Sequence, residues 1–141
     1  MNFRAVINKR RSVRKFGNKT VDFELVNKAL EIARKCPSAG AIRGYETFVI
    51  IDKLVHISAP AYVVICANSQ AYEKRYGERG RNLYAIQDAT ILGAYFQLAL
   101  VDMGMVSVWV GAFREGKVKR HLNTEFKPVV VIAMGYPTNE L

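Results

Sequence analysis

A basic segment near the N-terminus carries the residues best suited to binding an anion. The stretch NKRRSVRKFGNK, residues 8–19, holds six lysines and arginines and no acidic residue. Side chains alternate between two sides of an extended chain, so Arg10, Ser12 and Arg14 would point the same way. Two guanidinium groups and a hydroxyl match the acceptor oxygens of a phosphate monoester. The same charges would also suit a nucleic acid, a targeting segment or a solvated surface, and the segment alone leaves these alternatives open.

Two further segments have small residues at positions where a ligand could approach the backbone. PSAGAIRGYE, residues 37–46, contains alanines and glycines that let N–H groups come close to a flat ring. VWVGAF, residues 108–113, places a glycine inside an apolar strand, which often marks the approach of a ligand or of another backbone. Taken singly, each segment is better explained by ordinary structure: a helix-to-strand loop in the first case, a packed strand in the second.

The hydrophobic pattern predicts the helices that would position these segments. Helical spacing indicates a short amphipathic helix in NFRAVINK and a second helix in FELVNKALEIARKC, capped by Asp22 and ending before Pro37. The longest periodic segment predicts a central buried helix over about residues 80–102, which ends at Gly104. A further helix is expected over about residues 115–122.

Strands are predicted where β-branched residues form short apolar runs. Three such runs are TFVIID, AYVVICAN and VVVIAMGY, the last preceded by Pro128, and a fourth, VSVWVGAF, is expected to be a strand or an extended loop. Helices and strands interleave along the chain without a linker or a repeat. The sequence therefore predicts one α+β domain, residues 1–141, with a mixed sheet.

Composition restricts the class of protein. Half of the residues are hydrophobic, which excludes a disordered or fibrous chain. The net charge is +9, and residues 1–53 hold 12 cations against 5 anions, which indicates an anionic partner. Nucleic-acid binding is the less favoured explanation, because Phe16 is the only aromatic residue interleaved with the basic cluster.

Single chemical groups outside these segments are interpreted as structural. Cys36 and Cys66 have no metal-ligand spacing, so they are expected to be reduced and unpaired, and no metal site is predicted. His56 and His121 are expected on the surface, and Asp88 should pair with a cation or a backbone donor inside the long helix. There is no apolar run of ~20 residues and no signal peptide, so a cytoplasmic location is expected.

Taken in order, five segments resemble the FMN-dependent nitroreductase family. They are RRSVRKF, PSAG, RYGERGRNLYAIQDATILGAYFQLAL, GMVSVWVGAF and VVVIAMGYP. The resemblance implies a mainly antiparallel sheet flanked by helices around a long central helix. It also implies an intertwined homodimer, with FMN at the subunit interface and each site built from both subunits.

The resemblance implies roles for particular residues. Arg10 and Ser12 would hold the FMN phosphate, assisted by Arg11, and Arg14 would face the pyrimidine side of the flavin. Residues 37–39 would run along the ring and ribityl chain, and the backbone of residues 110–112 would lie near N5 and O4. The complete implied cofactor site is Arg10, Arg11, Ser12, Arg14, Pro37, Ser38, Ala39, Val110, Gly111 and Ala112.

The activity implied by the resemblance is that of an NAD(P)H oxidoreductase. Hydride would pass from NADH or NADPH through flavin N5 to a nitroaromatic, a quinone or a similar flat acceptor, with no catalytic side chain. The alternative is a flavin-binding or cofactor-free member of the fold without catalytic activity. A nucleic-acid-binding domain is a third, weaker alternative.

Three departures from the family pattern affect these expectations. After PSAG the family commonly has asparagine, glutamine, proline and tryptophan, whereas this chain has Ala41, Arg43, Gly44 and Tyr45. Arg43 would then donate to the flavin or contact the phosphate of a nicotinamide cofactor. Residues 51–60 leave room for a turn at most, which predicts an open pocket. The sequence ends at GYPTNEL without a basic C-terminal arm, so the N-terminal cations would supply most of the charge near the phosphate.

Overall fold

The structure is a computed structural model that describes residues 1–138. The expectation about a C-terminal arm falls partly on residues 139–141, which lie outside the described residues. The helices are α1 Phe3–Lys9, α2 Phe23–Ala33, α3 Ser69–Arg79, α4 Ala85–Asp102 and α5 Glu115–Leu122. The strands are β1 Tyr45–Ile50, β2 Ala61–Ala67, β3 Val106–Val110 and β4 Lys127–Gly135.

Local signals place most of these elements where they were predicted. The Asp22 side chain accepts a hydrogen bond from the backbone N–H of Glu24 at 2.9 Å, which caps α2 as expected. Gly104 follows α4 with a φ of +80°, a left-handed conformation that glycine adopts without a steric penalty. Residues 51–60 contain neither helix nor strand, as their length predicted.

The long helix was predicted to begin about five residues too early. Residues 80–84 form a π-helical turn, and a separate helix, α3, precedes it. That helix is polar, with Tyr72 its only buried residue, so it has no apolar stripe to reveal it in the sequence. Gly80 packs the turn against α3: a Cβ there would lie 2.6 Å from the carbonyl oxygen of Tyr72.

The sheet has the order β1-β2-β4-β3, and all three strand pairings are antiparallel. Among residues 1–138, its parallel component is a single bridge from Ser12 to Ser107 on β3. The α+β fold with a mixed, mainly antiparallel sheet is thus confirmed. Pro128 lies inside β4 rather than before it. Because proline has no N–H to donate, the register shifts there, opposite Cys66.

Helices and loops cover both faces of the sheet. Val63 and Ile65 of β2 belong to the core cluster that contains residues of α2 and α4. Tyr62 and Val64 belong to the opposite cluster, with Leu54 and with Val118 of α5. Coverage on both faces explains why every residue of β2 is buried.

Both cysteines lie in this interior as free thiols, as predicted. Burial raises the pKa of Cys36, and it raises the pKa of Cys66 to about 12, so both are protonated at neutral pH. Within residues 1–138, no helix has the length and apolar character needed to cross a membrane.

Candidate functional site

The basic segment lies in extended conformation along β3. Ser12 bridges to Ser107, and the backbone N–H of Val13 donates to the carbonyl oxygen of Ser107 at 3.0 Å. Val13 is half-buried, whereas Arg10, Arg11 and Arg14 are exposed. Backbone pairing therefore fixes the path of the segment and leaves its guanidinium groups facing outward.

The basic side chains of this segment have no acidic partner among residues 1–138. Neither of the ion pairs in that part of the chain involves Arg10, Arg11 or Arg14. Charges that are not offset within residues 1–138 can bind an external anion, so the residues fit a phosphate. The FMN contacts assigned to them remain predictions.

The strand beside this segment is held by a buried contact that the sequence did not reveal. The side-chain amide of Gln97 on α4 donates to the Ser107 hydroxyl at 3.0 Å, and both residues are buried. The apolar pattern of α4 indicated only a buried helix. The signal in the sequence was Gln97 itself, because a polar side chain among apolar neighbours in a buried helix needs a hydrogen-bond partner.

Residues 37–39 are anchored to α4 through Asp88. The Ser38 hydroxyl donates to an Asp88 carboxylate oxygen at 2.5 Å, and the backbone N–H of Ala39 lies 3.2 Å from both carboxylate oxygens. Asp88 is buried, and of its two predicted partners, a cation or a backbone donor, the Ala39 N–H confirms the backbone donor. The Ser38 hydroxyl also accepts from the backbone N–H of Arg43 at 2.8 Å, so its role here is to hold the loop in place.

Tyr72 of α3 completes this network. Its hydroxyl donates to Asp88 at 2.6 Å and accepts from the backbone N–H of Gly44 at 2.9 Å. Burial, and then the hydrogen bond to the carboxylate, raise the pKa of Tyr72, so the hydroxyl stays protonated and donates. Asp88 thus anchors Ser38 and Ala39 directly and Gly44 through Tyr72, which fixes both ends of residues 37–44, the PSAG loop.

The structure assigns Arg43 a different role from the two that were expected. Its Nε donates to the carbonyl oxygen of Arg34 and its Nη2 to that of Cys36, both at 3.0 Å. These carbonyls follow the end of α2, where helical partners are missing. Arg43 therefore caps a helix end, and its φ of +49° is left-handed, as are those of Gly40 and Ala41 in the same loop.

Residues 110–112 leave β3 at the edge of the sheet. Val110 is buried in the core, so only its backbone is available to a ligand, while Gly111 and Ala112 are exposed. A Cβ built on Gly111 would have no protein atom within 4 Å, so the space beside this backbone is open. That open space fits the approach of a flat ring.

Within one chain, the predicted site falls into two parts. The basic segment lies beside Ser107 and therefore near Gln97, whereas residues 37–39 lie on Asp88. These two α4 residues are nine positions apart, or about 13 Å along the helix axis. Within one chain, the residues proposed to bind the phosphate are therefore separated from the PSAG loop.

Comparison with known proteins identifies the class. A model of the nitroreductase family matches residues 7–60 and 53–136, which together cover most of the chain. A nitroreductase family protein from Streptococcus pneumoniae has the same fold, with a TM-score of 0.89 at 23% identity over 99% of this chain and 92% of that one. The chain belongs to the nitroreductase family, as its motifs indicated.

Two further relatives carry more specific names. A protein of Methanothermobacter thermautotrophicus, named "Putative NADH dehydrogenase/NAD(P)H nitroreductase", is 28% identical over 93% of this chain and 75% of its own length. A structure from Staphylococcus epidermidis, named "Putative NAD(P)H:FMN oxidoreductase", has a TM-score of 0.83 at 17% identity, over 99% of this chain and 90% of that one. At that identity the second relative supports the fold alone.

Proposed function

We propose that this protein is an FMN-dependent NAD(P)H oxidoreductase that reduces nitroaromatics, quinones or similar flat acceptors. The observation that carries the proposal is the basic segment, paired along β3 at Ser107 with its arginines outward and unpaired within residues 1–138. Family membership and the names of the relatives support the same reaction class.

In this proposal Arg10, Arg11 and Ser12 hold the FMN phosphate through charge-assisted hydrogen bonds. Arg14 places positive charge at the pyrimidine edge, where it would stabilise negative charge that develops on reduction. The backbone of residues 110–112 lies beside the ring, in the open space at Gly111. FMN supplies the hydride transfer itself when bound, and the chain supplies binding, orientation and charge.

The PSAG loop of a second copy would complete each site. In one chain, residues 37–39 contact α4 at Asp88, whereas the basic segment lies near Gln97, further along the same helix. A homodimer in which the two parts of each site come from different subunits explains this separation. Exposed apolar side chains on neighbouring helices provide a surface for that dimer: Phe3 and Ile7 on α1 and Tyr95 on α4. Reduced, buried cysteines fit a reducing compartment such as the cytoplasm.

One observation favours a second candidate, a member of the fold that binds flavin without catalysis or has no cofactor. The chain lacks the family's usual asparagine and glutamine after PSAG. Arg43 cannot replace their hydrogen bonds to the ring while its side chain caps the carbonyls of Arg34 and Cys36. Weak contact with the ring would reduce both flavin affinity and turnover.

The absorbance spectrum of the purified protein tests the proposal. We expect a flavin spectrum in protein supplied with FMN, release of FMN on denaturation, and bleaching of the bound flavin by NADH or NADPH without air. Protein that takes up FMN but is not bleached by either nucleotide would favour the non-catalytic candidate. Failure to take up FMN, together with salt-sensitive binding to random duplex DNA, would revive the nucleic-acid alternative.

A further inference from the structure

A second concave site lies on the face of the sheet opposite α2 and α4. One wall is formed by residues 53–56, in the short segment after β1. The other wall is formed by residues 112–114 with Lys117 and Val118 of α5. We call this space, about 500 Å³ in volume, the basic cavity.

The lining of the basic cavity carries positive charge only. Lys53, Arg114 and Lys117 contribute three permanent cations, His56 is a fourth basic residue, and no acidic residue lines the space. Neither ion pair within residues 1–138 involves these three cations. Cations gathered around a concave space raise the local positive potential and attract an anion into it.

Apolar side chains form the floor beneath these charges. Leu54 and Val118 are buried, and Phe113 is half-buried against the same core cluster. An apolar floor with charged groups at the rim suits a ligand that combines a flat ring with an anionic group. The volume lies within the range of roughly 300–1,000 Å³ usual for small-molecule sites.

Chain connectivity joins the basic cavity to the proposed flavin site. Ala112 lines the cavity and is also the last residue of the segment proposed to lie beside the flavin. A ligand in the cavity would therefore lie next to the place where a nicotinamide must approach.

We propose that the basic cavity binds the nucleoside-phosphate end of the reductant, with the 2′-phosphate of NADPH among Lys53, Arg114 and Lys117. The 2′-phosphate is the group that distinguishes NADPH from NADH, so the protein prefers NADPH. Arginine and lysine donors bind phosphate oxygens strongly, and the apolar floor accommodates the adenine. This inference rests on the proposed oxidoreductase function, because it concerns the reductant of that reaction.

Calorimetric binding of adenosine 2′,5′-bisphosphate and of AMP to the purified protein tests the site without turnover. At 150 mM salt, which weakens nonspecific attraction, we expect the bisphosphate to bind at least tenfold more tightly than AMP. Lys53→Ala, Arg114→Ala and Lys117→Ala should each weaken bisphosphate binding by about tenfold or more. Lys28→Ala, an exposed lysine on α2 across the sheet, is the matched control and should have no effect.

Steady-state kinetics give the second readout. In the Lys53 and Lys117 variants the KM for NADPH should rise while the KM for NADH and the content of bound FMN stay unchanged. Equal affinity for AMP and the bisphosphate would overturn the 2′-phosphate assignment, and full bisphosphate affinity in all three variants would overturn the site. Bisphosphate binding without any FMN uptake would instead contradict the oxidoreductase proposal and leave the nucleotide site standing.

Discussion

Arg10 and Arg14 provide the charge of the proposed phosphate and pyrimidine contacts. We expect Arg10→Ala or Arg14→Ala to weaken FMN binding, because each change removes charge-assisted hydrogen bonds of about 1.5–3 kcal/mol. Fluorescence titration with FMN measures the loss. Arg120→Ala, an exposed arginine on α5, serves as the control. Unchanged affinity in both site variants would refute the assignment.

Asp88 acts on the PSAG loop through its hydrogen bonds to Ser38, Ala39 and Tyr72. Asp88→Asn replaces a carboxylate that accepts from Ser38, Ala39 and Tyr72 with a weaker acceptor. We expect the free energy of unfolding to fall by about 1.5–3 kcal/mol, and FMN affinity to fall with it. Urea denaturation and FMN titration measure the two effects. Asp52→Asn, on an exposed residue, should change neither, and an unaltered urea midpoint in Asp88→Asn would contradict the role of the network.

The thiol of Cys66 should make the free energy of unfolding depend on pH in the alkaline range. Burial raises its folded-state pKa to about 12 from an ordinary 9.0, so above pH 9 the unfolded chain loses the proton more readily than the folded one. The unfolding free energy should therefore decrease from pH 9 toward pH 12, by on the order of 1–3 kcal/mol by pH 11. Thermal melts across this range measure the decrease. A Cys66→Ala variant that shows the same slope as wild type would disprove the contribution.

At the scale of elements, the contact between α4 and β3 sets how closely the central helix packs against the sheet. A Cβ on Gly93 would lie 2.6 Å from the Trp109 ring, so glycine allows the close approach of the two elements. We expect Gly93→Ala to destabilise the protein by about 1–3 kcal/mol through overpacking.

Gly116 on α5 is the matched control, since the nearest atom to a Cβ there is a flexible arginine end at 3.5 Å. Gly116→Ala should be neutral or stabilising by at most about 1 kcal/mol. Chemical denaturation of the two variants gives the comparison. A stable Gly93→Ala protein would show that the indole can move aside at little cost.

At the scale of the whole molecule, the exposed apolar side chains of α1 and α4 predict that the protein forms a homodimer. The spacing of α1 indicated an apolar face of Phe3, Val6 and Ile7, yet only Val6 is buried within one chain. Light scattering should give twice the 15.9 kDa of the chain. Tyr95→Lys should raise the dimer dissociation constant by at least about 100-fold, because it would bury an unpaired charge.

Ile51→Lys, on the exposed segment after β1, is the control and should leave the dimer intact. Since each flavin site needs the PSAG loop of the other copy in this proposal, Tyr95→Lys should also lose FMN. A monomeric wild-type protein that binds FMN at full occupancy would contradict the two-subunit site.

The sequence predicted elements best where short-range chemistry decides them. Asp22 caps α2 through a residue two positions away, and Gly104 ends α4 through its own backbone conformation. The polar helix α3 was missed, because one buried tyrosine in eleven residues gives no periodic signal. The role of Arg43 was also missed, since its acceptors are backbone carbonyls, which every residue carries.

The sequence by itself determined the family, the α+β class and the segments that form the candidate site, because these depend on residue types in order along the chain. The tertiary structure decided how those segments are held: Ser12 against Ser107, Ser38 on Asp88, and the basic cavity between residues 53–56 and α5. These contacts join residues that lie 50 or more positions apart. Packing and hydrogen bonding bring such residues together only when the whole chain folds. A local sequence pattern therefore does not show which distant residues will be in contact.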